Sequence, residues 1–283
     1  MEKIGTPEQI NPDFSLDHFL MTTFGPVANE LITHIGTLRN NNDVESVHHA
    51  RVAIRKAQSH VKTFAPMLKK KPRLYIAQEL NWLNSKIAPV RNADVLLEIA
   101  QGLKIEKETV WSQITRLLDQ DRNSAFASLN DSLAKNRVDA LLTELTHFAL
   151  HPPIKKKVLA KSASARKTLT VQCVSNTWTA LFAEIEKLSK RPKPARLHRV
   201  RVIAKRCRYA YEVAQSDGLL TASRHAPYAE SLQNKLGQVN DIVMFLDWLK
   251  KQSNIPESAK KEYQSQLKSA KSVTRKQLLK TTS

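Results

Sequence analysis

The sequence predicts an all-α protein, and three features support this. Only 6 of the 283 residues are glycine. Leucine, alanine, lysine, glutamate, glutamine and arginine dominate the composition, and these residues favour helices. The alternation of apolar and polar residues that is typical of strands is scarce. With 41% hydrophobic residues, the chain can bury a sizeable core.

Capping residues and prolines mark the predicted helices of the first half. Residues 1–14 form a short arm, and Ser15 has the side chain of an N-cap for a first helix that stops at "NNND". Pro89 lacks the backbone N–H that an interior helical residue donates, so we expect a helix to end near it. The other predicted segments are a second helix over about 43–68, a third over 73–88, a restart behind Asn92 or Asp94, and long helical segments over about 107–150.

The segment "HPPIKKK" divides the chain near its middle, because two adjacent prolines cannot continue a helix. We expect a single domain over residues 15–283 with two halves, one over about 15–150 and one over about 154–283. The second half is predicted to contain a long helix to about 190, the linker "RPKPA", a helix over 196–215, another over about 222–251 and a basic final helix after Pro256.

The chain carries a formal net charge of +19, which attracts polyanions. Nucleic acid, anionic membranes and phosphate-rich polymers are therefore the partner classes to consider. The sequence has no apolar run of about 18 residues and no signal-peptide pattern, and Cys173 and Cys207 lack a CxxC spacing. We expect a chain without a membrane span in a reducing, cytoplasmic setting.

The cations are concentrated rather than spread evenly along the chain. Residues 92–150 hold six Lys or Arg against nine Asp or Glu, whereas residues 154–208 hold sixteen against two. This asymmetry favours a localised anion site over general solubility.

An internal repeat relates the most basic stretch of the second half to the first half. The segment "RLHRVRVIAKRCRYAYE", residues 196–212, is similar to "SVHHARVAIRKAQSHVK", residues 46–62, at an offset of 150 residues. Further on, "NSKIAPVRNADVLL" aligns with "QNKLGQVNDIVMFL" at an offset of 149 residues. These two offsets define the repeat register, and they predict two halves built alike.

Each of the two similar segments is predicted to form a helix with an apolar face and a cationic face. Apolar residues such as Ile54 and Cys207 occupy one arc of each helix. A solvated face normally mixes Glu with Lys at four-residue spacing, but the cationic arc of the second helix contains no carboxylate until Glu212. The cationic arcs hold His48, Arg51, Arg55 and Lys62 in the first helix and His198, Arg201, Lys205 and Arg208 in the second.

The residue types in these arcs suit phosphate better than carboxylate or metal. Arginine offers a planar fork of donors that fits phosphate oxygens, and histidine adds further donors. No metal site is expected from His48, His49 and His60, because adjacent histidines point about 100° apart on a helix and no carboxylate lies at ligand spacing. No Walker glycine loop, nucleophile elbow or acidic metal cluster is visible. We therefore expect no cofactor and no enzyme activity.

The segments "VHHARVAIRK" and "LHRVRVIAKRCRY", followed by "SKIAPVRNADVLL" and "NKLGQVNDIVMFL", resemble the CHAD family, the conserved histidine α-helical domain. The resemblance implies a pseudo-symmetric pair of four-helix bundles and a basic pore or groove that binds inorganic polyphosphate without catalysis. It also implies association with polyphosphate granules. The positions that it carries over are His48, Arg51, Arg55, His198, Arg201, Lys205 and Arg208, with Lys56 and Arg206 as flanking members.

Three residues depart from the family's pattern. Gln58 stands where another Arg or Lys is usual, Ala88 replaces a usual Gly and Asn92 a common Asp. The missing cation at Gln58 should weaken the first cationic face without abolishing it, and Lys62 lies one turn further along the same arc.

Several further residues are secondary candidates for the same site. Arg91 and Asp94 belong to the later motif of the first half and Asn240 and Asp241 to that of the second, and for all four, roles as ligands and as buried structural groups both stay open. The additional cationic candidates are Lys86, Arg91, Lys161, Arg166 and Lys235.

The alternative function is nucleic-acid binding through the same charges, in particular those of the tail "SAKKEYQSQLKSAKSVTRKQLLK". Single-stranded nucleic acid would need aromatic side chains on which its bases stack. We expect the four tryptophans, Trp82, Trp111, Trp178 and Trp248, to lie in the core, which counts against this alternative.

Overall fold

The computed structural model of the chain describes residues 14–102, 108–188 and 194–258, together with residues 260, 261, 263–265 and 267. The predicted N-terminal arm up to residue 13, the linker residues 191–193 and the basic end of the chain from residue 268 lie outside the described residues. The helices are α1 (Leu16–Asn40), α2 (Val44–Thr63), α3 (Lys70–Gly102), α4 (Glu108–Leu133), α5 (Asn136–Leu150), α6 (Lys156–Leu159), α7 (Ala163–Glu186), α8 (Pro194–Ser216) and α9 (His225–Lys251).

The all-α prediction is confirmed. The described residues contain no strand, only an isolated bridge between Leu68 and Ile154. Several described residues after Pro256 are also helical. No helix in the described part of the chain is long and apolar enough to cross a membrane.

Side-chain caps fix the starts of the first two helices. The hydroxyl of Ser15 accepts a hydrogen bond from the backbone N–H of His18, as its predicted role as N-cap requires. Asp43 caps α2 in the same way, because its carboxylate accepts a bond of 2.7 Å from the N–H of Ser46. The second helix ends at Thr63, earlier than the predicted residue 68, and turns follow it.

The predicted break near Pro89 is wrong, because α3 runs through this residue without interruption from Lys70 to Gly102. A proline inside a helix removes one backbone hydrogen bond, and the freed carbonyl then needs another partner. Pro89 is exposed, so its ring lies on the solvent side of the helix. The flanking Ile87 and Val90 are fully buried, and their burial favours continuation of the helix.

The helices α2 and α8 lie at the centre of the packing. In the first half α1 packs against α2 and α5, and α3 packs against α2, α4 and α5. In the second half α8 packs between α7 and α9. The contact between α2 and α8 joins the two halves, and one continuous core cluster contains buried residues of both. A second cluster joins the ends of α3 and α9 to the start of α4.

The prediction that all four tryptophans belong to the core is wrong for one of them. Trp82, Trp178 and Trp248 are partly buried and pack against the two core clusters. Trp111 is 36% exposed on α4, although Ile114 and Leu118, three and seven residues further along the same helix, are fully buried.

Candidate functional site

The two basic helices bury their apolar faces and leave their cations at the contact between them. On α2 the residues Ala50, Ile54 and Ala57 are fully buried, and on α8 Val200 and Cys207 are fully buried. These residues lie on the arcs predicted to be apolar. The opposite arcs therefore face each other or solvent, and this places the basic side chains of both helices at one location.

Four cationic side chains, Arg51 and Arg55 from α2 and Arg201 and Lys205 from α8, form what we term the central cluster. Burial lowers the pKa of Arg51 to about 10, with further lowering by Arg55, Arg201 and Arg91. Burial likewise lowers the pKa of Lys205 to about 7, with further lowering first by Arg201 and Arg55. The pKa of Arg55 is also lowered by its burial and by Arg201. The cations of each helix thus repel those of the other at close range.

The central cluster holds more positive charge than the protein neutralises. Arg51 Nη1, Arg55 Nε and Arg201 Nε are buried and have no hydrogen-bond partner within the described residues. The negative charge of Asp241 on α9 raises the pKa of Arg51 and so offsets part of this lowering. Buried donors without acceptors are costly, so an anion that accepts from them would stabilise the arrangement.

The guanidinium group of Arg201 is placed by a glycine of α9. A Cβ atom added at Gly237 would lie 3.5 Å from Arg201 Nη2 and 3.6 Å from its Nε. The group therefore lies close to α9 at Gly237, in space that a side chain longer than one methyl group would fill.

Two of the predicted site residues, Lys56 and Arg208, are neutralised by carboxylates. Lys56 Nζ donates to both oxygens of Glu30 on α1, at 3.1 and 3.2 Å. Arg208 donates Nη1–H to Glu230 on α9 at 3.0 Å, and its Nε lies 3.1 Å from Glu212. We term these five residues the acidic flank of the site.

Gln58 is one of the three residues that depart from the family's pattern. It makes an uncharged hydrogen bond at the position where Arg208 makes an ion pair in the second half. Gln58 donates to Asn81 of α3 at 2.8 Å. The repeat register aligns Gln58 with Arg208 and Asn81 with Glu230. The first half therefore lacks both the cation and the carboxylate of the second-half pair, and the loss at Gln58 leaves the local charge unchanged.

Three cations, Lys62 of α2 with Arg199 and Arg206 of α8, form a second basic group that we term the basic flank. Burial lowers the pKa of Lys62, and the charges of Arg206 and Arg199 lower it further. Arg206 is half-buried and its Nε has no hydrogen-bond partner in the described part of the chain. Arg199 lies 3.4 Å from Glu184, a carboxylate that also pairs with Arg196 and Lys187.

The two signature histidines have different environments. His48 is half-buried, and its pKa is lowered first by burial and then by Arg91. His198 is exposed near the start of α8. Arg91 also acts on Arg51 and pairs with Glu98 at 2.8 Å, so it borders the central cluster.

Asp94, whose role was left open, forms a buried ion pair instead of facing the cluster. Arg122 of α4 donates Nε–H to its carboxylate at 2.6 Å, and Asp94 is 4% exposed. The pair ties α3 to α4.

The other secondary candidates lie on α3, α7 and α9 or directly before α7. Lys86 and Lys235 are half-buried on α3 and α9, and neither is among the charges that shift the pKa values within the cluster. Lys161 is exposed, and Arg166 donates to the backbone carbonyl of Leu159 at 3.4 Å. Among the described residues, no group of three or more His, Cys, Asp or Glu is arranged to hold a metal ion.

The sequence analysis did not single out Arg199 or Gly237, and it left the role of Asp241 open. Arg199 follows His198 directly and so lies about 100° from that histidine around the helix axis, outside the predicted cationic arc. Asp241 and Gly237 are both in the motif "NKLGQVNDIVMFL", and only the packing of α9 on α8 brings that motif to the cluster.

The fold and the site define an all-α protein in which two basic helices from different halves bring their cations together. The CHAD domain family matches residues 24–250, and the chain belongs to this family. The CHAD domain from the plant Ricinus communis has a similar structure, with a TM-score of 0.78, 19% sequence identity, and coverage of 96% of this chain and 93% of that one.

PptA from Streptomyces chartreusis is also similar in structure, with a TM-score of 0.76 and 15% sequence identity over 94% of this chain and 98% of PptA. At these identities the likeness concerns the fold alone. No curated protein matches the sequence.

Proposed function

We propose that this protein binds inorganic polyphosphate at the contact between α2 and α8 and does not transform it chemically. The observation that carries the proposal is the central cluster, in which four cations from two helices lie together with buried N–H donors that find no acceptor among the described residues. A linear chain of phosphates supplies closely spaced negative charges and many acceptor oxygens, which matches both needs.

Arginine contributes most to this recognition. Arg51, Arg55 and Arg201 present planar forks of donors that bind phosphate oxygens in pairs, while Lys205 adds a point charge. Counterions that the polymer releases on binding make the binding free energy more favourable, and this contribution weakens as the salt concentration rises. Affinity therefore depends steeply on salt concentration.

Membership of the CHAD family supports a polyphosphate-related role. The net charge of +19 supports attraction to a polyanion over distance. We extend the proposal to association with polyphosphate granules in the cytoplasm. A granule presents the phosphates of many polyphosphate chains at once.

The direct test is the double variant Arg51→Ala with Arg201→Ala, titrated with long-chain polyphosphate by fluorescence anisotropy or calorimetry. We expect affinity to fall by at least about tenfold, since each lost charged hydrogen bond contributes on the order of 1 kcal/mol or more. Thermal unfolding should stay cooperative.

The matched control is Arg116→Ala with Lys135→Ala, which removes the same charge from exposed positions outside α2 and α8. Equal losses in both double variants would reduce the effect to net charge and reject the site.

Competition with nucleic acid tests the alternative. Duplex DNA and single-stranded RNA are added to the polyphosphate complex at equal phosphate concentration. We expect polyphosphate to remain bound; displacement by either nucleic acid would favour a nucleic-acid-binding protein. Incubation with nucleotide, magnesium and polyphosphate, with chain length followed on a gel, tests the non-catalytic part, and any change in length would contradict it.

A further inference from the structure

The two basic helices end differently at positions that the repeat register makes equivalent. Lys62 lies seven residues beyond Arg55 on α2, and Glu212 lies seven residues beyond Lys205 on α8. Seven residues are about two helical turns and about 10 Å along the axis, so each residue continues the cationic face of its helix. One face therefore ends in a cation and the other in a carboxylate.

The packing of α2 on α8, together with the charges that act on each residue, places these two residues at opposite ends of the central cluster. Lys62 of α2 lies near Arg206 and Arg199 of α8, which repel it. Glu212 of α8 lies near Lys56 of α2. The C-terminal part of each helix thus passes the preceding part of the other, and the basic and acidic flanks border the cluster on its two sides.

The acidic flank has a net negative charge. Its two cations, Lys56 and Arg208, face the three carboxylates Glu30, Glu212 and Glu230. The pKa of Glu212 is raised, first by burial, and Glu230 adds to the rise. Each cation on this side already donates to a carboxylate, and Arg208 Nε, which makes no hydrogen bond within the described residues, lies 3.1 Å from Glu212, so a phosphate chain would meet repulsion there.

The basic flank has the opposite balance. Lys62 and Arg206 have no carboxylate among the described charges that shift their pKa values. The carboxylate of Glu184 is shared by Arg199, Arg196 and Lys187, so positive charge exceeds negative charge there as well. A phosphate chain that extended this way would gain further charge pairs.

We propose that the bound polyphosphate extends from the central cluster over the basic flank and is kept from the opposite side by the acidic flank, so that the site holds the polymer asymmetrically. This inference rests on the proposed function. It assigns Lys62, Arg199 and Arg206 as contacts for the longer part of the chain, and Glu212 as the residue that closes the other end.

A matched pair of single variants tests the asymmetry. Lys62→Gln and Lys56→Gln each remove one positive charge from the same helix, but on opposite sides of the central cluster. Each variant is titrated with triphosphate and with long-chain polyphosphate over a series of salt concentrations. Thermal unfolding identifies any loss of structure in Lys56→Gln, which leaves Glu30 without its partner.

We expect Lys62→Gln to weaken binding of the long chain by about threefold to tenfold, as for one partly exposed charge pair. The slope of log affinity against log salt should fall by about 0.7, the value for one phosphate contact on a single strand. Triphosphate binding should change little, because a short chain is held by the central cluster. Lys56→Gln should leave both affinities near the wild-type value.

Equal losses in the two variants, or a larger loss in Lys56→Gln, would overturn the asymmetric path. So would an effect of Lys62→Gln that does not depend on chain length. Either result leaves wild-type binding intact and is therefore distinct from failure of the proposed function, in which the wild-type protein does not bind polyphosphate at all.

Discussion

The guanidinium group of Arg201 lies beside Gly237 of α9. Its Nη2 is 3.5 Å from the position that a Cβ atom at Gly237 would occupy. This distance is an ordinary van der Waals contact, so one methyl group fits and a longer side chain does not. A small residue at position 237 therefore leaves room for Arg201 beside α9.

Substitutions at Gly237 should separate stability from binding. Gly237→Ala is expected to raise the free energy of unfolding by about 0.5–1 kcal/mol, because alanine loses less conformational freedom in a helix, with polyphosphate affinity unchanged. Gly237→Leu must push the guanidinium of Arg201 away and should weaken binding severalfold. Chemical denaturation and a binding titration measure the two effects. If Gly237→Leu causes the same loss in an Arg201→Ala background, the effect does not act through Arg201.

Proton uptake at Lys205 should make polyphosphate binding depend on pH. The pKa of this ammonium group is lowered to about 7 by burial and by Arg201, Arg55, Arg51 and Arg208. Below pH 7 the group is charged before the polymer binds. Above pH 7 binding must take up a proton from solution, so the affinity should fall by up to about tenfold per pH unit for one linked proton.

The control for this prediction is Lys205→Arg, which keeps a positive charge that does not titrate in this range. Binding of long-chain polyphosphate between pH 6 and 9 should then become flat. In the unbound protein the free energy of unfolding should rise as pH goes from about 7 to 10.5. Over this range Lys205 has lost its proton in the folded chain but keeps it in the unfolded chain. A wild-type affinity independent of pH would contradict the role of Lys205.

Helical periodicity placed all four residues of the central cluster on the predicted cationic faces, but it did not show which cations on those faces stay unneutralised. Arg51, Arg55, Arg201 and Lys205 share faces that 3.6 residues per turn fix from the sequence alone. Arg208 shares the same face, yet its partner Glu230 lies on another helix, 22 residues away. Tertiary packing decides such pairings, and a helical projection of one segment contains no information about them.

Pro89 illustrates the same limit for the fold. The loss of one hydrogen bond at a proline is a local penalty, and from the sequence it predicts the end of a helix. The burial of Ile87 and Val90 on either side is a gain that exists only in the packed bundle. The helix continues because the gain from packing exceeds the local cost.

Rebuilding the second-half ion pair in the first half should show that a paired arginine adds little to binding. The double variant Gln58→Arg with Asn81→Glu copies Arg208 and Glu230 into the register-equivalent positions and leaves the net charge unchanged. We expect its polyphosphate affinity to stay within about twofold of wild type, because exposed charges that pair with each other largely cancel.

Gln58→Arg alone is the informative comparison. It adds a cation opposite the neutral Asn81 and should strengthen binding severalfold. Salt-dependent titrations of the single and double variants measure the difference. Equal strengthening in both variants would mean that the carboxylate does not neutralise the arginine, and it would restore Arg208 as a direct ligand.

The buried pair of Asp94 and Arg122 should contribute to stability and leave binding unchanged. Asp94→Ala strands the Arg122 side chain, which is 11% exposed, without its carboxylate. Removing one partner of a buried ion pair typically costs about 3–5 kcal/mol, and Asp94 Oδ2 and Arg122 Nη2 already lack partners among the described residues. We therefore expect a fall at the lower end of this range, of about 3 kcal/mol, in the free energy of unfolding.

The double variant Asp94→Leu with Arg122→Met distinguishes the cost of a stranded charge from the value of the pair itself. Because apolar side chains of similar size need no partner, this variant should be more stable than Asp94→Ala. Denaturant unfolding of the three proteins measures both steps, and polyphosphate affinity should match wild type wherever the protein is folded. If Asp94→Ala folds but binds polyphosphate more weakly, Asp94 would instead position the nearby Arg91. The buried contact of Asp94 with Arg122 argues against that role.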